Sequence, residues 1–158
     1  ISQARDAGIT CPIMAGDTWD DISIAQRTGD KATEIFFSAF FDAADTSNEA
    51  GKAFVEGFTK WVAEDNARLE NNGGVADVIS SVTPCGYDAY MAAVGAIEAA
   101  NSTDGAAIRD ALAGLEIPGL ITGDLKFDEN GDAIKNYAVI KTIQDGQIVY
   151  YSTFNGLE

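Results

Sequence analysis

Short apolar runs alternate with amphipathic stretches along the first two thirds of the chain, and the period then changes to two. Ile1 to Gly8 reads as the last turns of a helix closed by glycine, followed by Ile9 to Met14 as a buried strand and Ala15 to Trp19 as a loop at its carboxyl end. Asp20 to Gly29 predicts a short helix, acidic at its start and stopped by Gly29, and Glu34 to Phe41 predicts a second strand. This rhythm implies a parallel sheet covered on both faces. Thr46 to Glu49 matches a capping box, and Ala50, Phe54, Phe58, Trp61 and Leu69 share one stripe of a single long amphipathic helix ended by Asn71 to Gly74. Val75 to Val82 leads to Thr83 as cap and Pro84 in the first turn of a helix reaching Ala100, apolar nearly all round and so expected to be buried. Asn101 to Asp104 caps another helix over Ala106 to Leu115. Ile121, Gly123, Leu125 and Phe127 then share a strand face, Asp128 to Asp132 turns the chain, Tyr137 to Ile143 returns, and Asp145-Gly146 turns it into Gln147 to Phe154. The end of the chain is expected to be a β-meander, and no internal repeat is visible.

With 158 residues, 46% apolar and 22% charged, the chain has the composition of an ordinary globular domain. A net charge of -15 with only 10 Lys and Arg argues against nucleic acid, whose phosphates demand clustered basic side chains. The absence of histidine excludes His-dependent catalysis and, with Cys11 and Cys85 far apart, thiolate/imidazole zinc sites. Those two cysteines can form a disulfide or remain free thiols. No apolar stretch of a secretion signal is visible, and an opening that reads as the end of a helix suggests a chain whose beginning is missing.

The segment Ala4 to Asp20 carries the most chemistry, because a buried strand there delivers a carboxylate, Asp17, beside an aromatic, Trp19. Ligands of open α/β sheets bind at strand carboxyl ends, where a carboxylate can pair with an ammonium group and an aromatic can cover an apolar side chain or the cation. The alternative for Asp17 is that it caps the helix beginning near Asp20. Asp17 with Asp20 and Asp21 could form an acid pair or a magnesium site, but acidic residues in a first helical turn are expected from the helix dipole alone. Without a histidine or a nucleophile elbow no acid/base or nucleophilic machinery is apparent, and no cofactor or metal is expected. Asp128 to Asp132 superficially matches a calcium loop, yet the twelfth position is Val139 where a glutamate is required, so the segment reads as a hairpin turn.

Three segments in order, ARDAGITCPIMAGDTWDD (residues 4 to 21), GYDAYMAAVGAIEAANSTDGAAIRDAL (86 to 112) and ITGDLKFDENGDAIKNYAVIKTIQDGQIV (121 to 149), resemble the second half of the branched-chain amino-acid-binding proteins of ABC transporters. The resemblance implies a type I periplasmic-binding-protein α/β fold, a three-layer sandwich of which this chain is the C-terminal part. It further implies that residues 1 to 45 and 119 to 158 belong to the second lobe and residues 46 to 118 to the first. In that family an acidic residue in the loop after the P-I-x-x-G strand binds the ligand's α-ammonium; here that position is Asp17. Thr18 and Trp19 beside it, with Val82 and Tyr87 at the apolar helix, are the other ligand-site residues the resemblance implies, although core packing is the alternative for Tyr87. Its implied partners are an amino-acid-like ligand, a membrane permease and the N-terminal half of the protein or a second copy, and its implied location is periplasmic or extracellular, lipid-anchored in a Gram-positive cell. A ligand-sensing receptor of the same fold is the alternative role. Two departures stand out: residues 66 to 78 replace a shorter linker, and Cys85 sits where a small residue is common.

Overall fold

Arg5 decides where the first strand begins. In the computed structural model, which describes residues 1–45, 47–135 and 137–156, its guanidinium donates to the carbonyls of Ile9 (2.7 Å), Cys11 (3.0 Å) and Thr33 (2.6 Å). Those groups are thereby lost to a ladder, and β1 is only Ile13–Ala15; residues 9 to 12, expected to be strand, form an exposed approach to it. Helix α1 (Ser2–Asp6) precedes it and ends near Gly8 at φ 80°, as the sequence suggests. Helix α2 (Ile22–Thr28) is capped by Asp21, which accepts from the Ser23 amide at 2.8 Å, and stops at Gly29. Strand β2 (Ile35–Ala39) follows.

The sheet is mixed, where the element rhythm implied a parallel one. β1 and β2 are parallel, but β3 (Tyr137–Gln144) runs antiparallel to β2, and β4 (Gln147–Asn155) antiparallel to β3, in the order β1-β2-β3-β4. One face carries Ile35, Phe37, Val139 and Ile143, all buried, with Ala25 of α2 and Ala32 packed beneath. The opposite face is open: Met14, paired with Phe36, is 76% exposed, Tyr151 packs edge-on against Phe36 at 5.0 Å between centroids, and Phe154 is exposed. Among the described residues, coverage of both faces is therefore not seen.

The helical part differs from the expected pattern in three places. Thr46, the expected cap of the long helix, lies outside the described residues; Asn48 caps α3 (Glu49–Ala63), accepting from the amides of Ala50 and Gly51. The stripe does not run through one helix, because Asp65 caps a second one, α4 (Asn66–Asn71), by accepting from Arg68. Helix α5 (Thr83–Ala100) has Val82, not Thr83, at its cap position, with no side-chain cap. It is not buried all round: Pro84, Asp88, Ala92 and Ala96, four residues apart, form the buried stripe, while Tyr87 and Tyr90 are exposed. Helix α6 (Gly105–Ala113) starts at Asp104 as expected.

Residues 121 to 127 do not form the first strand of a meander. Only isolated bridges join Ile117 to Leu125 and Phe127 to Ala133. Side chains take the backbone groups that a strand would use: Asp88 accepts from the amides of Ile121 (3.1 Å) and Thr122 (2.8 Å), while Asn48 donates to the carbonyls of Leu120 (2.9 Å) and Ile121 (3.1 Å). Leu120 and Leu125 pack with Ala92 and Leu112, so a second core joins this segment to α5 and α6, apart from the core under the sheet. Asp45 connects the two regions, accepting from Tyr137 Oη (2.6 Å), Thr153 Oγ1 (2.8 Å) and the Ser47 amide (2.9 Å).

Candidate functional site

β1 ends at Ala15 and the chain enters a single 3-10 turn, Asp17–Trp19, closed by amide bonds from Trp19 to Gly16 (3.2 Å) and from Asp20 to Asp17 (3.0 Å). Asp17 therefore stands at the carboxyl end of a sheet strand, the usual place for a ligand in an open α/β fold. It is not the cap of α2, since Asp21 fills that role. Six described acidic residues are not fully exposed: Asp17, Asp20, Asp42, Asp45, Asp88 and Asp128. Asp20 and Asp42 pair with Lys141, Asp45 and Asp88 accept the bonds given above, and Asp128 accepts the amides of Asn130 and Asp132 across its turn. Among the described residues the Asp17 carboxylate alone of the six makes no hydrogen bond or ion pair. It is partly exposed, so its oxygens remain open to water and to an incoming cation.

The Cys85 thiol is pushed up from its ordinary value, first by burial, then by the charge of Asp88, with Asp17 adding to the rise and Lys135 opposing it. Beside Cys85 a cavity of about 500 Å³ runs between Phe40, just past β2, and α5, and its lining includes Asp88, Thr122 and Lys135. Lys135 Nζ donates to Thr122 Oγ1 (3.1 Å) and to the carbonyls of Thr122 and Asp124; burial lowers its pKa, against the charge of Asp88. Both cysteines are free, and burial keeps Cys85 a neutral thiol.

The other expected site residues are placed as follows. Thr18 is exposed beside Asp17. Trp19 packs against the core of Ala25, Ile35 and Phe37, together with Ile1 and Ile24, and so anchors the turn. Val82 is exposed at the start of α5. Tyr87 sits 5.8 Å from Phe54 and lines an apolar groove of about 590 Å³ with Phe58 and Trp61 of α3, away from Cys85 and its cavity. The structure thus keeps Asp17, Thr18 and Trp19 on one turn and places Tyr87 elsewhere, in the groove against α3. Lys135, Asp88 and Lys141 were not singled out by sequence reasoning, although two carry a readable signal. Asp88 interrupts an otherwise apolar stripe at spacing four, and Lys141 has the inward parity of Val139 and Ile143 in a strand, which demands a carboxylate partner.

A profile described as periplasmic binding protein matches residues 1–147. Comparison with curated protein sequences returns no match. Among solved structures, the chain is similar to a leucine binding protein LivK from Thermotoga maritima, at 28% identity and a TM-score of 0.76 over 98% of this chain and 40% of that one. It is similar to an ABC transporter substrate-binding protein from Desulfitobacterium hafniense in complex with Leu, at 26% identity and a TM-score of 0.66, covering 94% of this chain and 38% of that one. A branched-chain amino acid transporter substrate binding protein, LivJ from Streptococcus pneumoniae in complex with isoleucine, shares the fold at 24% identity and a TM-score of 0.66, over 98% and 39% of the two chains. The chain thus spans about two fifths of the length of these structures. With the family match running from residue 1 through the Asp17 turn, α5 and β3, the chain belongs to the periplasmic binding protein family, a solute-binding family, with the type I α/β fold of its branched-chain amino-acid-binding members.

Proposed function

We propose that this chain is part of the substrate-binding component of an ABC importer and that it captures an amino acid in a cleft between two lobes. The observation that carries the reading is the place of Asp17 at the end of β1, partly exposed and without a hydrogen bond or ion pair among the described residues. An α-ammonium group pairs with it, and closure of the lobes removes water and strengthens the pair. The sheet with its hairpin forms one lobe and α3 to α6 part of the other. The binding protein works outside the cytoplasm and hands its ligand to a membrane permease.

The test is calorimetry with leucine and isoleucine on the intact binding protein and its Asp17→Ala variant. Loss of a desolvated charge pair costs 2–5 kcal/mol, roughly thirtyfold or more in affinity. Unchanged affinity for every amino acid tried would rule out the assignment of Asp17. The open sheet face around Met14, Phe36 and Phe154, and the groove lined by Phe54, Phe58 and Trp61, are the surfaces that the rest of the family's fold covers on this reading. Co-purification of the two portions as separate chains, read by intact mass, tests that arrangement.

A further inference from the structure

Lys141 lies on β3 at the inward parity of the sheet, its side chain only 6% exposed. Its Nζ is 3.0 Å from Asp20 Oδ2 and 3.1 Å from Asp42 Oδ2, two carboxylates whose side chains are 9% and 16% exposed. Asp20 follows directly on the turn that bears Asp17, and its amide closes that turn on the Asp17 carbonyl at 3.0 Å. Asp42 lies beyond β2, at the start of the segment leading away from the sheet. One buried ammonium therefore ties together the loops that leave the carboxyl ends of β1 and β2.

We propose that Lys141 is a positioning residue for ligand recognition: by binding Asp20 it fixes the turn that presents Asp17, and by satisfying Asp20 and Asp42 it leaves Asp17 as the carboxylate available to an ammonium group. The inference rests on the reading of Asp17 given above. The turn has two anchors, Trp19 in the core and Asp20 on Lys141, on adjacent residues. Removing the Asp20 anchor frees one end of a turn only three residues long, and a recognition group held by a single anchor loses its preorganised geometry. Asp42 shares the same lysine but belongs to another loop, so the two carboxylates are unequal in this role.

That inequality supplies the test. Asp20→Asn and Asp42→Asn each leave Lys141 with one carboxylate and remove the same charge, so a purely structural triad predicts equal effects. In the intact binding protein, leucine affinity is measured by calorimetry and the exchange of amides 19 to 21 by hydrogen–deuterium exchange without ligand. Asp20→Asn should weaken leucine binding roughly tenfold or more, as loss of an orienting partner does elsewhere, and should speed exchange of these amides. Asp42→Asn should leave amide exchange unchanged and affinity within about threefold. Equal effects of the two variants on affinity and on exchange would overturn the proposal. Should a single variant not fold, the neutral triple variant Asp20→Asn, Asp42→Asn, Lys141→Met, with no charge left buried, takes its place: faster exchange of amides 19 to 21 supports the proposal, and wild-type protection overturns it. If the unaltered protein binds no amino acid, the reading of Asp17 fails, while amide exchange still decides whether Lys141 holds the turn.

Discussion

Replacing Asp88 by alanine should be among the most damaging single changes in this chain outside the hydrophobic core. The carboxylate is 6% exposed and accepts three bonds: Ile121 N at 3.1 Å, Thr122 N at 2.8 Å and Thr122 Oγ1 at 2.7 Å. Ile121 and Thr122 are themselves buried, so alanine strands two backbone donors where water has little access. Each orphaned donor costs about 1–3 kcal/mol, and relief of the carboxylate's own desolvation returns part of that, leaving a net loss of about 3–4 kcal/mol. Asparagine is the informative control. It keeps one acceptor oxygen but turns an N–H₂ toward the remaining donors, so it should cost about 2 kcal/mol and fall between wild type and alanine.

The assay is urea unfolding of the intact binding protein, followed by far-ultraviolet circular dichroism and analysed by linear extrapolation. A drop in midpoint with unchanged slope reports lost stability alone. The reasoning would be refuted if Asp88→Ala cost less than about 1 kcal/mol, or if asparagine cost as much as alanine, since either result would mean that the oxygen acceptors do not hold the 120–122 segment.

Further predictions concern acid, a turn and a helix break. Burial raises the Asp45 pKa, but hydrogen bonds from Tyr137, Ser47 and Thr153 outweigh it and hold the carboxyl at about 2, below the ordinary 3.8. A folded value depressed below the unfolded one stabilises fully above about pH 4 and is lost as pH falls toward 2, so this network should contribute about 2 kcal/mol that disappears in that window; urea midpoints between pH 5 and pH 2 should fall less steeply in Asp45→Asn than in wild type. The β3–β4 turn has Asp145 at φ 51° and Gly146 at φ 74°, a pair of left-handed residues matched to strand twist. Gly146→Ala should cost about 1 kcal/mol in thermal unfolding, and a neutral result would contradict the turn geometry. Arg68 stands 4.3 Å from the Trp61 ring centre and donates to the Trp61 carbonyl at 2.9 Å, bracing the break between α3 and α4; Arg68→Ala should lose about 1 kcal/mol.

The elements that could be read from the sequence were those whose signal is local. Gly8, Gly29, Asp104 and the Asp145-Gly146 pair marked their boundaries because caps and left-handed turns are written in one or two residues. Boundaries set by distant partners were misread. The first strand shortened because Arg5 reaches the Ile9, Cys11 and Thr33 carbonyls, and the segment from Ile121 failed to become a strand because Asp88 and Asn48 consume its backbone groups. The apolar helix looked buried all round because alanine reads as apolar on every face, whereas its fully buried residues are confined to the stripe of Pro84, Asp88, Ala92 and Ala96. The position of Asp17, just after a short strand, was legible; its role toward a ligand is the proposal made above.

A net charge of -15 says little about the ligand until each carboxylate's environment is known. Asp21, Asp65 and Asp104 satisfy helix ends, and their charge is largely spent on amide dipoles. Asp88 has Lys135 nearby to offset it, and Asp20 with Asp42 has Lys141, so the surroundings of the candidate cleft are internally compensated except at one point. A cation approaching Asp17 thus meets a carboxylate whose field is not already cancelled by a contact partner, on a turn whose neighbours Trp19 and Asp20 are both anchored. On the proposed reading of Asp17, such a turn favours a compact ammonium group and carries little reorganisation cost when it binds. On that reading Asp17 recognises the amine shared by all α-amino acids, and the choice among their side chains comes from the surfaces that close over it.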